Sequence, residues 1–187
     1  MKKVLIVIDA QNDFLTGSLA NPAAVEALPC VCNLVKGAVA ESLPIIWTRD
    51  THFKDYLNSA EGIELPIPHC IHETWGWQIA NEVILPNYFK GWIIDKYQFG
   101  AKPEDWIEAF EMIPELYHCS SNNREIHICG YVSSICVVSN ALILKSLYPE
   151  SKIIFHAYAS AGLTPEDHEA ACKVMECCQI KVLREAE

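Results

Sequence analysis

Short apolar strands alternate with helical segments along the whole chain, and this alternation constrains the fold more than any other feature. The run KVLIVID at residues 3–9 is continuously apolar and rich in Val and Ile, as expected of a strand that is buried on both faces. Similar runs predict further strands at residues 44–50, 91–96, 125–130, 152–159 and 180–183. Strands that alternate with helices pair in parallel through right-handed crossovers. We therefore predict an α/β fold, a three-layer α-β-α sandwich with an open, mainly parallel six-stranded sheet, built as a single domain over residues 1–187.

Prolines and capping residues mark the expected helix boundaries. Pro29 is expected to open the first long helix, with the sequence CVCNLVKGAVAE, and Pro103 opens another with acidic residues in its first turn. Thr164 and Pro165 are the expected N-cap and first position of the last helix. Residues 51–90 have few regular patterns, and a long irregular segment inside a compact domain is usually functional or disordered. The aromatic residues of this segment argue against disorder.

The acidic composition disfavours two classes of partner. The formal net charge is −10 and the pI is about 5.1, so nucleic acids and anionic membrane surfaces would repel the chain. No apolar run approaches the roughly 20 residues of a membrane span. Asp9 interrupts the apolar start of the chain too early for a signal peptide. The nine cysteines include no CxxC pair, so we expect a cytoplasmic protein whose thiols are mostly small core residues.

Reactive side chains follow four of the predicted strands. Asp9 ends the first strand, and Asp50 ends the second with His52 just beyond it. Lys96 ends the third strand, and Cys136 lies six residues after the end of the fourth. Ligands of open parallel sheets bind beyond the carboxyl ends of the strands. These side chains are therefore expected to meet at one edge of the sheet.

Cys136 is expected where the helix after the fourth strand begins. Unpaired N–H groups and a partial positive charge at a helix N-terminus stabilise a thiolate, so we expect the pKa of Cys136 to be lowered. Backbone N–H groups of the preceding turn could also hold an oxyanion. A nucleophile needs a base and a charge partner, for which Asp9 and Lys96 are the candidates. The alternative is that Cys136 is one more buried thiol in an apolar helix.

Three segments, in this order, resemble the cysteine-hydrolase superfamily of nicotinamidases and isochorismatase-like proteins. LIVIDAQNDFLTGSLA resembles the opening strand and its D-x-Q-N-D-F segment, and IIDKYQFGA resembles the strand that ends in the catalytic lysine. ICGYVSSICVV resembles the turn that carries the nucleophile. The resemblance covers nearly the whole chain and implies the isochorismatase-like hydrolase fold. It also implies Asp9 as proton acceptor, Lys96 as the cation beside the thiolate and Cys136 as nucleophile.

The same resemblance implies details of the nucleophile turn. The family has a non-proline cis peptide bond there, which would fall between Tyr131 and Val132. It would aim the Val132 N–H, together with the Cys136 N–H, at the developing oxyanion. Ser133 and Ser134 stand where the family has threonine and aspartate. Serine keeps the hydroxyl of threonine, whereas the carboxylate at position 134 is lost.

Acids and histidines in and near the irregular segment suggest a metal site. Asp50 and His52 point the same way in an extended segment, because they are two residues apart. One carboxylate and two imidazoles suit Zn, Mn or Fe and leave coordination positions open. The nicotinamidase branch has D-x-H and a further histidine about 17 positions on, which implies Asp50, His52 and His69 as ligands of one divalent transition metal, zinc before Mn or Fe. His72 and Cys70 are interpreted as structural residues. Glu61 is interpreted as an acid that reaches the ion through water.

The substrate site also follows from the resemblance. In nicotinamidases the metal holds the pyridine nitrogen and aromatic residues sandwich the ring, and Phe14 matches one of these residues. Pro66 stands where the second, usually a tryptophan, is expected. Trp75, Trp77 and Tyr97 are alternatives for the missing wall, and Phe14 and Tyr97 are the predicted substrate-binding residues.

The resemblance implies an amidohydrolase that cleaves a small carboxamide through a thioester and releases ammonia. Conversion of nicotinamide to nicotinic acid is the expected reaction. One alternative is a related cysteine amidase that acts on another small amide or carbamoyl compound. A second is a catalytically silent member that binds a small ligand or a partner. The expected partner is thus a small-molecule amide, and aromatic residues around 75–92 would also permit a homo-oligomer.

Overall fold

A single parallel sheet organises the part of the chain that the computed structural model describes, residues 1–84, 91–118 and 120–186. Its strands are β1 (Lys2–Ile8), β2 (Ile45–Asp50), β3 (Gly91–Lys96), β4 (Arg124–Tyr131), β5 (Lys152–Ala161) and β6 (Lys181–Leu183). They lie in the order β3-β2-β1-β4-β5-β6, and every neighbouring pair is parallel. The predicted α/β class with a six-stranded sheet is confirmed.

Helices connect the strands and cover the sheet. They are α1 (Asn12–Leu15), α2 (Pro22–Ala40), α3 (Ala60–Glu64), α4 (Pro103–Glu111), α5 (Pro114–Tyr117), α6 (Val138–Leu147) and α7 (Pro165–Cys177). Short 3₁₀ turns lie at Tyr56–Asn58 and Ser121–Asn123, and a π-helical turn at Ser133–Val137 leads directly into α6.

The sheet buries both of its faces, which explains why its strands are continuously apolar. Val4, Ile6 and Ile8 of β1 join a core with α4, α5, α6 and α7. Leu5 and Val7 point to the other face and join a second core with α2. Successive side chains of a strand alternate between faces, so each face of β1 contributes to its own apolar layer.

Helix α2 begins earlier than the sequence analysis expected. Its first residue is Pro22, and the Asn21 side chain caps it by accepting the Ala23 N–H at 3.0 Å. The predicted start at Pro29 is wrong, because Pro29 lies inside the helix. Pro22 satisfies the preference for proline in the first turn equally well and has a capping residue before it. The predicted cap of α7 is confirmed, since Thr164 Oγ1 accepts the Asp167 N–H at 3.1 Å.

Helix α2 is also long and apolar enough to cross a membrane by length and composition alone. That is weak evidence, because core helices pass the same test. Five of its side chains are buried, as expected of a helix that packs on a sheet: Ala24, Ala27, Val31, Val35 and Ala38.

The irregular segment after β2 folds over the carboxyl edge of the sheet. Gln11 forms an antiparallel bridge with Ile79, and His52 forms a parallel bridge with Ile71. The segment contains a 3₁₀ turn and the short helix α3, while residues 85–90 at its end lie outside the described residues. It is thereby fixed next to the ends of β1 and β2.

Gly130 allows β1 and β4 to approach closely beside this edge. Its φ of +119° is a conformation that L side chains rarely adopt, and an added Cβ would overlap the Ile8 carbonyl oxygen. We expect Gly130→Ala to lower the free energy of unfolding by more than about 2 kcal/mol. Gly37→Ala is the matched control, because nothing lies within 4 Å of its added Cβ, and it should stabilise α2 by about 0.5–1 kcal/mol. Urea unfolding of both variants checks this, and equal midpoints would contradict the close approach.

Candidate active site and metal centre

A buried lysine at the end of β3 lies at the centre of the site. Lys96 Nζ is 2.8 Å from Asp9 Oδ2 and 2.9 Å from Asp50 Oδ1, and its side chain is fully buried. Burial opposes the charge, but Asp9 and the other acidic groups around it hold the pKa of Lys96 well above its ordinary value. The ammonium is therefore present at any physiological pH. Its Nζ also lies 3.5 Å from Cys136 Sγ.

Asp9 follows β1 in a left-handed conformation, with φ of 47°. Thr48 of β2 fixes it twice, because Thr48 Oγ1 accepts the Asp9 N–H at 3.2 Å and donates to Asp9 Oδ1 at 2.6 Å. Burial raises the pKa of Asp9, and the Asp50 charge adds to this against the opposing effect of Lys96. A carboxylate with a raised pKa is a stronger base than one in water.

Cys136 lies in the π-helical turn before α6, and only 6% of it is exposed. Burial raises the pKa of this thiol well above its ordinary value, and the charges of Asp9 and Asp50 add to that, while Lys96 opposes them in part. The expected lowering of the pKa by the helix N-terminus is therefore wrong. The sequence analysis weighed the helix alone, whereas the fold places two carboxylates beside the sulfur.

The turn that carries Cys136 is fixed by backbone hydrogen bonds. The Tyr131–Val132 peptide bond is cis, as the resemblance implied. The Val132 carbonyl accepts the N–H groups of Ile135 and Val137, both at 3.1 Å. The role of the Val132 and Cys136 N–H groups in holding an oxyanion stays a prediction.

A buried amide ties this turn to the segment after β3. Asn140 Nδ2 donates to the Cys136 carbonyl at 2.7 Å, and Asn140 Oδ1 accepts the Ala101 N–H at 2.8 Å. Asn140 itself is fully buried. The Asn140 side chain therefore joins the chain beyond Lys96 to the turn that carries Cys136.

Four potential metal ligands meet beside the lysine. Asp50, His52, Glu61 and His69 each offer a ligand atom, and these atoms lie within 4.8 Å of one another. Asp50 Oδ2 is 3.0 Å from His52 Nε2 and 3.4 Å from His69 Nε2. Glu61 Oε1 lies 3.7 Å from His52 Nε2 and 3.6 Å from His69 Nε2. The three ligands expected from sequence are brought together, and Glu61 joins them as a fourth donor.

This donor set fits a divalent transition metal. Two imidazoles and two carboxylates are ligands that Zn, Mn and Fe accept. His69 Nδ1 is hydrogen bonded to the Ile67 carbonyl at 2.8 Å, which leaves Nε2 directed at the cluster. Burial would raise the pKa of Asp50, but Lys96 and the two histidines hold it well below its usual range. Asp50 is thus ionised and can serve as a ligand.

The two runners-up from the sequence have other surroundings. His72 packs its ring 4.8 Å from Trp77 and 5.8 Å from Phe53 and is not in the cluster. Cys70 is fully buried, and burial raises the pKa of its thiol. Both were interpreted as structural, and their contacts agree with that interpretation.

Gln11 connects β1 to the metal cluster, a role that the sequence analysis missed. Its Oε1 accepts the Asp50 N–H at 2.7 Å, and its Nε2 donates to the Asp50 carbonyl at 2.9 Å and to the Trp77 carbonyl at 2.8 Å. The side chain is fully buried. A buried amide with every group paired fixes the backbone of the ligand Asp50.

Asp13 holds the segment that carries His69, a second role that was missed. Asp13 Oδ2 accepts the Cys70 N–H at 2.7 Å, and Oδ1 accepts the N–H and the hydroxyl of Ser18, both at 3.0 Å. The signal was present in the sequence DAQND, where Asp9, Gln11 and Asp13 are polar residues spaced two apart directly after a buried strand. Their spacing indicates three buried polar groups, although it does not indicate their partners.

The predicted substrate-binding residues differ in position. Phe14 is 6% exposed, and its ring lies 6.0 Å from the His69 ring in an edge-on arrangement, beside the metal cluster. Tyr97 is 55% exposed and stacks on Phe53 at 5.9 Å. Both Tyr97 and Phe53 line a cavity that also includes His52. Tyr97 is therefore a residue of the rim, not of the buried floor.

Comparisons with known proteins identify the family and relatives of the same fold. The family model of the isochorismatase domain matches residues 3–187. A nicotinamidase of Saccharomyces cerevisiae is 26% identical over 180 residues, which are 78% of this chain and 82% of the relative. The structure of a pyrazinamidase of Pyrococcus horikoshii in complex with zinc has a TM-score of 0.77 and 25% identity, over 99% of this chain and 100% of that one. A nicotinamidase of Bacillus subtilis has a TM-score of 0.82 and 22% identity, over 98% and 100% of the two chains.

Removal of the Lys96 charge should destabilise the fold strongly. Lys96→Met leaves two buried carboxylates without their cation, and the loss of one partner from a buried ion pair costs about 3–5 kcal/mol. Lys54→Met, at an exposed lysine, is the control and should change the free energy of unfolding by less than about 0.5 kcal/mol. Guanidinium unfolding of the chelator-treated proteins measures the difference. Similar values for both variants would show that Lys96 is not held as an ammonium.

Metal retention should separate His69 from its neighbour His72. After incubation with zinc and dialysis, the unaltered protein and His72→Ala should retain the metal, because His72 is not among the clustered ligands. His69→Ala removes a clustered imidazole, so its affinity for zinc should fall about 100-fold or more. Elemental analysis and titration with a zinc indicator measure this. Loss of zinc in His72→Ala and retention in His69→Ala would contradict the assignment.

Proposed function

The chain belongs to the isochorismatase family, and we propose that it is an amidohydrolase that releases ammonia from a nicotinamide-like carboxamide. The single observation that supports this most is the position of Lys96, within 2.8 Å of the Asp9 carboxylate and 3.5 Å of the Cys136 sulfur. A nucleophile, a base and a cation thus lie together at the carboxyl edge of a parallel sheet, where such folds bind their ligands.

The first half of the reaction forms a thioester. Asp9 accepts the thiol proton of Cys136 as the sulfur attacks the carboxamide carbon. Burial is the main cause of the raised pKa of Asp9 and of the raised pKa of the Cys136 thiol. It therefore makes Asp9 a stronger base and the thiol a weaker acid at the same time. The tetrahedral oxyanion is held by the Val132 and Cys136 N–H groups, a donor arrangement worth about 3–4 kcal/mol of barrier. Asp9 then gives the proton to the departing nitrogen, which leaves as ammonia.

The second half regenerates the thiol. A water molecule gives a proton to Asp9 and attacks the thioester carbon, and the proton returns to the sulfur as the carboxylic acid leaves. Lys96 stays protonated throughout, because the acidic groups around it hold its pKa well above its ordinary value. The ammonium thereby compensates whichever of Asp9 and Cys136 carries the negative charge at each step.

The residues that would hold the metal lie beside the proposed triad of Asp9, Lys96 and Cys136. They are Asp50, His52, Glu61 and His69. When bound, a divalent metal, zinc before Mn or Fe, supplies a Lewis-acidic position for a ring nitrogen of the substrate. Asp50 connects the two parts, since its Oδ1 binds the ammonium and its Oδ2 faces the histidines. The chain's own residues therefore set the distance between the held ring and the attacking sulfur.

A second candidate function is the hydrolysis of another small amide or carbamoyl compound. The observation that favours it is Pro66, which is exposed and stands where nicotinamidases carry a ring-stacking tryptophan. Phe14 still provides a buried aromatic wall beside His69. The exposed pair of Phe53 and Tyr97 lines a cavity with His52, and an exposed pair suits substrates other than a tightly sandwiched pyridine.

An ammonia-release assay over a panel of amides tests the proposal. We expect turnover of nicotinamide by the zinc-loaded protein, and a fall of about 10³-fold or more in kcat/KM for Cys136→Ala. Cys177→Ala, at an exposed cysteine, is the control and should retain full activity. Benzamide lacks the ring nitrogen and should react about 10- to 100-fold more slowly, because one strong polar interaction is lost.

Each alternative has its own outcome in this assay. Ammonia from a carbamoyl compound but none from nicotinamide would select the second candidate. No ammonia from any amide would indicate a catalytically silent member that binds a small ligand. Full activity of Cys136→Ala would eliminate the proposed nucleophile.

A further inference from the structure

His168 of α7 contacts the first residue of the π-helical turn Ser133–Val137. Ser133 is the first residue of the π-helical turn that carries Cys136, and it is fully buried. Its Oγ lies 2.9 Å from His168 Nδ1. The hydrogen bond joins two elements that are 35 residues apart in the chain. It therefore fixes the turn relative to a separate helix.

The position of His168 is itself well determined. Its N–H donates to the Thr164 carbonyl at 3.0 Å, in the capped first turn of α7. Gly162 lies directly against the backbone of His168, since a Cβ added to Gly162 would be 2.8 Å from the His168 backbone nitrogen and 3.0 Å from the His168 Cα. The Gly162 carbonyl accepts the Asn21 side chain at 2.8 Å, which joins this contact to the start of α2. A small residue at 162 thus lets the helix approach the end of β5.

A neutral His168 ring can make this contact. Burial lowers the pKa of its imidazole, against an opposing effect of the Glu169 charge. The ring is therefore neutral near pH 7, and in the tautomer that carries its proton on Nε2 the Nδ1 atom accepts a hydrogen bond from the Ser133 hydroxyl. A neutral acceptor beside a fully buried hydroxyl satisfies a group that would otherwise lose its hydrogen bond to water.

We propose that His168 is a positioning residue of the active site, which holds the turn of Cys136 in its reactive geometry through the Ser133 hydroxyl. This role rests on the proposed amidase function of the same site. It assigns a partner to the serine that replaces the family's threonine at position 133. His168 reaches the turn through Ser133, three residues before Cys136, so it acts on the rate through the placement of the turn.

Kinetics of four variants and one control variant test this role. His168→Leu and Ser133→Ala should each lower kcat about 5- to 10-fold, the equivalent of one buried hydrogen bond, with KM unchanged within about twofold. The double variant should lose no more than either single one, because both remove the same contact. His168→Asn places a polar atom near the position of Nδ1 and should recover most of kcat. His118→Leu, at an exposed histidine, is the control and should match the unaltered protein.

A second measurement does not depend on any substrate. The rate at which iodoacetamide alkylates Cys136, followed by peptide mass spectrometry, should change in His168→Leu and Ser133→Ala and return in His168→Asn. If no amide is hydrolysed by the unaltered protein but this pattern is found, the proposed function fails while the positioning role survives. Thermal unfolding followed by circular dichroism shows whether each variant is folded at the temperature of the kinetic and alkylation measurements. A lower melting temperature with kcat and alkylation rate within about twofold of the unaltered protein would overturn the proposal.

Discussion

The structure of the site depends on one buried ammonium between two buried carboxylates. Lys96 Nζ is 2.8 Å from Asp9 and 2.9 Å from Asp50, and none of the three side chains is more than 6% exposed. Each charge alone would be costly to bury, and only their mutual contact makes the arrangement stable. Because Lys96 lies between Asp9, Cys136 and Asp50, the same contact fixes the proposed triad and the candidate metal cluster relative to each other.

Parallel strands explain how distant residues reach this point. Asp9, Asp50 and Lys96 lie at the carboxyl ends of three adjacent strands, so the sheet itself sets their spacing. The polar residues just after β1 then bind the surrounding loops, Gln11 at the Asp50 backbone and Asp13 at the Cys70 N–H. One short stretch of sequence therefore provides the proposed base and also positions two parts of the candidate metal cluster.

Features that depend on strand order could be predicted from the sequence, whereas contacts between distant elements could not. Asp9, Lys96 and Cys136 meet because the strands that precede or carry them end at one edge of the sheet. The raised pKa of Cys136 was not predicted, because it depends on burial and on carboxylates from other strands. Pro29 was misread because proline can also occur inside a long helix. A single domain over residues 1–187, a cytoplasmic location, a homo-oligomer and the absence of nucleic-acid and membrane partners stay predictions.

The buried triad residues and the exposed residues near the site occupy separable parts of this edge. Asp9, Lys96 and Cys136 are fixed by strand ends and by a turn with buried partners, so a substitution there disturbs the core. Pro66 and Tyr97 are exposed. A change at either residue therefore alters the rim without leaving a buried charge unpaired. A change at the exposed Tyr97 can thus alter the cavity beside His52 while Cys136, Asp9 and Lys96 keep their positions. The substrate of this chain should accordingly be sought among small amides that differ in shape, not in the bond that is cleaved.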